Sequence, residues 1–313
     1  MEMIKIESVT KSFKQKNKKI IAVNNVSLTV EQGDMLGLIG VNGSGKSTLI
    51  KMMNGILYPD QGEIIINGKN PWKHQKEIAY QIGSIFGQKS QLWYHLTPRE
   101  TFMFLGSVYS VKLAALKLHV AELIQQFDLH SFVDRPVRKL SLGQRMKCEI
   151  VASLVHNPSI LFLDEPTIGL DLIAKDSLTN LLSEYNKVHN KTMVITTHDI
   201  SDIAKLCNRV VIIDQGVIIY NGTTIALTEK FANIVLLEIV LASDIAQLSI
   251  EVLQHEKSDA YTHKIKINTD KIAVSEVFNK LEIYEIIRYY QQSLDLTAIV
   301  RVLFEEGVID DRK

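Results

Sequence analysis

An apolar pentapeptide, Met35-Leu36-Gly37-Leu38-Ile39, runs straight into Gly40-Val41-Asn42-Gly43-Ser44-Gly45-Lys46-Ser47-Thr48. The spacing G-x-x-x-x-G-K-S leaves few ways to fold: a buried strand, a glycine-rich loop, then a helix. Glycines let successive backbone N–H groups point into one concavity, and the helix N-terminus adds the positive end of its dipole. Asn42, Gly43, Ser44, Gly45, Lys46, Ser47 and Thr48 therefore form a phosphate cradle. Lys46 is expected to reach the β and γ phosphates, and the Ser47 hydroxyl a Mg²⁺ ion. The expected ligand is a nucleotide triphosphate.

Two further segments narrow the chemistry. Ile160-Leu161-Phe162-Leu163 is a continuous apolar run ending in Asp164-Glu165-Pro166. At the carboxyl end of a buried strand, Asp164 can hold Mg²⁺ and Glu165 can polarise the water that attacks the γ phosphate. Twenty residues upstream of Asp164, Leu140-Ser141-Leu142-Gly143-Gln144 opens a helical pattern with apolar residues at Met146, Ile150, Val151, Leu154 and Val155. Its hydroxyl, glycine N–H and helix dipole make a second anion-binding end. One chain has one cradle, so this second end calls for a second nucleotide.

Taken in order, these segments resemble the ATP-binding subunits of ABC transporters, and the match spans about residues 3 to 224. GVNGSGKST is similar to their Walker A motif, LSLGQ to their signature, ILFLDEP to Walker B and Gly169-Leu170-Asp171 to the D-loop. Gln88 in IFGQ resembles the Q-loop glutamine, and His198 in ITTHD the switch histidine. The resemblance implies a head-to-tail dimer over two ATP, with Ser141, Gly143 and Gln144 of one subunit at the nucleotide held by Lys46 of the other. It further implies that Gln88 joins Ser47 and Asp164 at the Mg²⁺ and that His198 holds the γ phosphate and orients Glu165. Asp171 communicates across the dimer, and Phe13 stacks on adenine. Leu142 departs from the family's usual glycine. It begins a helix, where leucine is a good former and no positive φ is needed, so activity is expected to survive.

The resemblance sets the fold class as α/β. Residues 1–224 form a P-loop NTPase of ABC type, with a RecA-like core sheet, an antiparallel β subdomain and a helical subdomain at about 91–155. Residues 225–313 form a small C-terminal α+β domain. Local signals agree with this division. Alternation at Ile4, Ile6, Val26, Leu28 and Val30 reads as an antiparallel hairpin, and Thr97-Pro98-Arg99-Glu100 as a capping box with proline at the first helical position. In the tail, strands are expected at Ile234–Leu241, Tyr261–Ile267 and Ile283–Tyr290, with helices at Lys271–Glu282 and Asp295–Glu305.

Charge and hydropathy bound the partners. Basic and acidic residues balance at 35 each, so no global field exists to hold nucleic acid or an anionic membrane. Cys148 and Cys207 are far apart, as in ordinary packing under reducing conditions. The N-terminus reads as a strand and not as a signal peptide. The densest apolar stretch, Ile234 to Ala242, is nine residues and carries Glu238, whereas a bilayer needs about twenty. Any membrane work then requires another chain to span it, and the resemblance implies separate permease subunits that hold this chain at the cytoplasmic face of the cell membrane. The segment Ile85 to Tyr94 and the run Pro136 to Pro158 resemble a bacterial exporter subgroup with separate six-helix permeases. There Gln88 to Tyr94 would meet the permease, with Trp93 and Tyr94 as candidate contacts. The competing reading is a soluble ABC ATPase of translation or DNA repair, or an importer ATPase. A single cassette with no long coiled coil and no basic excess disfavours the translation and repair types.

Overall fold

The computed structural model describes residues 1–15, 18–86, 90–197, 199–244, 252–281 and 284–306. They divide into two compact units, Met1–Thr223 and Thr224–Lys313. In the first, β1 (Glu2–Gln15), β2 (Lys18–Glu31) and β4 (Gln61–Ile66) make an antiparallel sheet in the order β2-β1-β4. The larger sheet uses β3 (Met35–Ile39), β5 (Ile82–Phe86), β6 (Ile160–Asp164), β7 (Thr192–Thr196), β8 (Arg209–Asp214) and β9 (Val217–Thr223), in the order β5-β6-β7-β3-β8-β9. Every pairing there is parallel except β8 with β9. Ile160 to Leu163 and Leu36 to Ile39 are buried without alternation, which requires cover on both sheet faces. Each such side chain contributes about 1.5–3 kcal/mol of burial.

Helices α1 (Lys46–Met53), α2 (Gln75–Ala79), α3 (Pro98–Val108), α4 (Leu113–Gln126), α5 (Leu142–Leu154), α6 (Leu172–His189) and α7 (Ile200–Leu206) complete this unit. Helix α3 starts on the expected capping box: Glu100 N–H donates to Thr97 Oγ1 at 3.2 Å, and Thr97 N–H to the Glu100 carboxylate at 2.8 Å. Strand β5 had no sequence-based expectation, because Gly83 and Ser84 interrupt its apolar run. The glycine has a packing reason. A β-carbon at position 83 would stand 2.4 Å from the Ser153 carbonyl oxygen, so its absence lets the end of α5 lie against the sheet.

The second unit contains α8 (Thr224–Lys230), β10 (Ile234–Leu241), β11 (Gln254–Lys257), β12 (Thr262–Asn268), α9 (Val274–Leu281), β13 (Ile286–Ser293) and α10 (Leu296–Glu306). Its antiparallel sheet runs β11-β12-β10-β13. Val235, Leu237, Ile239 and Leu241 alternate onto one face and pack with Ile265, Ile267, Val277 and Leu281. The neighbouring rows on the other face pair Glu238 with Lys264 and Leu236 with Lys266. Two expectations shift here. Helix α9 begins at Val274 and not at Lys271, because the Lys271 and Ile272 N–H groups both turn back to the Asn268 carbonyl. Strand β13 begins at Ile286 because Glu285 adopts a left-handed conformation, φ 46°, and its carbonyl accepts from Ala242 N–H.

Candidate functional site

The glycine loop leaves β3 at the carboxyl end of the parallel sheet, where open α/β sheets place their ligands. Gly43 and Gly45 take φ of 83° and 110°, values that a side chain resists. A β-carbon on residue 45 would meet the Ala22 carbonyl oxygen at 2.3 Å, whereas one on residue 43 would meet nothing within 4 Å. Gly45 is thus fixed by the neighbouring strand β2, and Gly43 faces open space. A cavity of about 150 Å³ results, lined by Ala22, Asn42 to Thr48 and Glu165.

Lys46 curls over this loop. Its Nζ donates to the Gly40 carbonyl at 2.7 Å and to the Val41 carbonyl at 3.1 Å. Burial lowers its pKa, while Glu165 and Asp164 act in the opposite direction. The Ser44 hydroxyl is buried with no hydrogen-bond partner, an expensive state that an oxyanion in the cradle would relieve. A buried cation, an orphaned hydroxyl and an uncrowded glycine fit a phosphate chain. For the metal, the hydroxyl of Ser47 and the carboxylate of Asp164 are oxygen donors of the type Mg²⁺ selects.

The acidic pair is held by a residue that motif reading passed over. Strand β7 lies between β3 and β6, and its last residue, Thr196, is in register with Leu38 on one side and Asp164 on the other. Thr196 Oγ1 donates to Asp164 Oδ1 at 2.5 Å. The Glu165 N–H donates to both the carbonyl and the hydroxyl oxygen of Thr196, at 3.0 and 3.1 Å. Glu165 itself has φ 54°, a left-handed turn that carries its side chain out of the strand line to the cavity wall. The only sequence trace of this arrangement is the position of Thr196 at the end of an apolar run.

Ser141 caps α5. Its hydroxyl accepts from Gln144 N–H at 3.2 Å, and its own N–H donates to Gln144 Oε1 at 3.0 Å. Asp171 likewise caps α6, accepting from Ala174 N–H at 2.9 Å. A β-carbon on Gly143 would stand 3.0 Å from Ala174 Cβ, so the two helix starts lie close together. Ser141, Gly143, Gln144 and Asp171 do not line the cradle cavity, and neither does Asp164. Phe13, paired with Ile20, is 40% exposed with Lys11 Nζ 5.7 Å from its ring centre. It is a surface residue, not a core one. Gln88 and His198 lie outside the described residues.

A second cavity, about 530 Å³, is bordered by α2, β5 and α5, with Ile78, Phe86, Gln91, Tyr109 and His156 on its walls. Tyr109 and His156 stack with ring centres 3.8 Å apart, and His156 Nε2 lies 2.9 Å from the Ile82 carbonyl oxygen. Nearby in sequence, Trp93 packs edge-on against Phe104 at 4.9 Å yet stays 43% exposed, and Tyr94 is 60% exposed. Cys148 and Cys207 are free and buried, and burial pushes the Cys148 thiol up to about 12. Among the described residues no helix is long and apolar enough to cross a membrane.

Residues 23–168 match the family described as ABC transporter. The Bacillus subtilis ABC transporter ATP-binding protein NatA is 32% identical over 73% of this chain and 92% of its own length. The methionine import ATP-binding protein MetN of the same organism is 30% identical over 94% of this chain and 86% of its own length. A solved dimeric ATP-binding cassette in a post-hydrolysis state, bound to ADP and Pi, aligns with a TM-score of 0.63 at 28% identity, covering 71% of this chain and 98% of that one. The cradle, the acidic pair and these relatives agree, and the chain belongs to the ABC transporter ATP-binding family as an ATP-hydrolysing subunit.

Proposed function

We propose that two copies of this chain close over two ATP and drive transport through separate membrane permease subunits. The observation that carries the dimer is the separation of the two anion-binding ends. Ser141 to Gln144 stand outside the lining of the chain's own cradle, and the related cassette bound to ADP and Pi is dimeric, which supports a second subunit supplying them. In that arrangement Lys46 neutralises the β and γ phosphates, and Glu165 takes the proton of the attacking water. Ser47, Asp164 and Gln88 would hold Mg²⁺, which would neutralise charge at the phosphate oxygens. His198 orients Glu165, Asp171 relays between subunits and Phe13 supports the adenine.

The 530 Å³ groove, with Trp93 and Tyr94 presented close by in sequence, is the surface we assign to the permease. Such docking would hold the chain peripherally at the cytoplasmic face of the membrane, with residues 225–313 as an accessory domain. For direction, the similarity of Ile85 to Tyr94 to the exporter subgroup favours export. Import is a second reading, favoured by the MetN alignment, which covers 94% of this chain.

The test uses Glu165→Gln in the full chain. This variant is expected to retain ATP, dimerise with it, and lose about 100- to 10,000-fold in hydrolysis, the range for removing a general base. Wild-type turnover in the purified variant would remove Glu165 from that role. The ATP-locked dimer, captured from native membranes, should bring down polytopic proteins. Uptake or efflux by vesicles carrying them decides the direction, and recovery of ribosomes or DNA instead would overturn the transport reading.

A further inference from the structure

Glu149 lies on α5, the helix that Ser141 caps, and is only 4% exposed. A buried carboxylate is costly unless its oxygens are filled. Here one oxygen accepts from the Ser90 hydroxyl and the other from the Gln91 N–H at 2.9 Å. Burial raises its pKa, and these two bonds together with Arg145 pull it back. Gln91 in turn donates through Nε2 to the Ser84 carbonyl on β5. The Ser84 hydroxyl donates to Asn54 Oδ1, and Asn54, at the end of α1, donates through Nδ2 to the Ile50 carbonyl at 2.9 Å. One continuous run of hydrogen bonds therefore joins the cradle helix to the Ser141 helix, and Asn54, Ser84, Ser90 and Gln91 all line the 530 Å³ groove.

We propose that Glu149 is a positioning residue that couples the nucleotide-binding face to the groove. When ATP engages the Ser141 end of α5, the carboxylate of Glu149 carries residues 90–94 along with the helix. This inference rests on the ATPase reading and names the side chain through which the groove senses nucleotide. The physical reason is the cost of separation. If α5 moved without residues 90 and 91, a charged or partly charged oxygen pair would be left buried and unfilled. The Gln91 N–H would lose its acceptor as well, and the Ser90 hydroxyl would fall back on the Leu92 carbonyl at 3.3 Å.

The protein carries its own reporter. Trp72 and Trp93 are its two tryptophans, and Trp93 sits two residues beyond Gln91 against Phe104. In the full chain carrying Trp72→Phe and Glu165→Gln, Mg-ATP should shift Trp93 emission. Adding Glu149→Ala should remove most of that shift at saturating ATP. ATP should still bind, because Lys46 and its loop are untouched. Glu149→Gln should restore the signal, since its amide oxygen can accept from Gln91 N–H while its amide nitrogen donates to Ser90 Oγ. Ser90→Ala, a milder change on a less buried residue, should fall between. Wild-type amplitude in Glu149→Ala or, should that variant not fold, in Ser90→Ala would overturn the proposal. So would a parent chain that binds ATP with Trp93 silent. A parent chain that binds no ATP would instead refute the ATPase reading, which separates the two failures.

Discussion

The two units bury their sheets in opposite ways. In Met1–Thr223 the central strands are apolar on both faces, and the cradle and the acidic pair stand at their carboxyl ends. In Thr224–Lys313 every other residue of β10 is core, and the rows between carry Glu238 opposite Lys264. A sheet covered twice can hold loop residues rigidly, because each strand end is fixed by neighbours on four sides. On the second unit's other face charged and apolar residues mix, Leu236 standing beside Glu238 and Lys266 being buried. That face borders a cavity of about 610 Å³ lined by Glu238, Glu256, Lys264 and Arg301 among others. The difference predicts that nucleotide chemistry and the stability of the second unit respond to different substitutions.

Lys46→Ala should test the first unit most severely. Losing a charge-assisted contact of about 1.5–3 kcal/mol should weaken ATP binding roughly 10- to 150-fold, read by equilibrium titration, with the melting of the second unit unmoved. Unchanged affinity would count against the cradle. The converse change is Ile239→Ala, which truncates a fully buried side chain of β10. It should destabilise the second unit by about 2–5 kcal/mol, seen as a separate calorimetric transition, while ATP affinity stays at the wild-type value. A matching loss of ATP binding would break the division drawn here.

The smallest effect concerns pH. His263 is fully buried in the second unit, 2.9 Å from His255, with its Nε2 lacking a partner. Burial first, then His255 and Lys257, hold its imidazole below the usual histidine range, against the pull of Asp244 and Asp259. The unfolded chain therefore binds a proton at higher pH than the folded unit does. Stability should be full above the ordinary histidine value of about 6.5 and fall as pH drops through the folded value. His263→Leu should flatten that slope in urea unfolding followed across this range. A slope that persists would place the acid sensitivity elsewhere, half-buried His156 in the first unit being another imidazole held low.

The cradle, the capping box at Thr97, the helix opened by Leu140 to Gln144 and the limits of β10 were legible in the sequence. Each depends on residues within a few positions of one another, where backbone geometry is set by local hydrogen bonds and side-chain type. Strands β5 and β11 and helices α2, α7 and α8 were not, because they are short and lack a clear period. Glycine 83 hid β5 for a reason of packing that no local pattern contains.

What the sequence determined by itself was the glycine loop of the cradle, the acidic pair at the end of an apolar strand, the helix start at Ser141 and the family they define. Tertiary structure alone decided that Thr196 stands between β3 and β6 to hold both acids, and that Glu149 reaches 58 residues back to Gln91. Those relations depend on strand order, register and helix packing. Such long-range pairings are fixed by closing a common core, and no short stretch of chain encodes them.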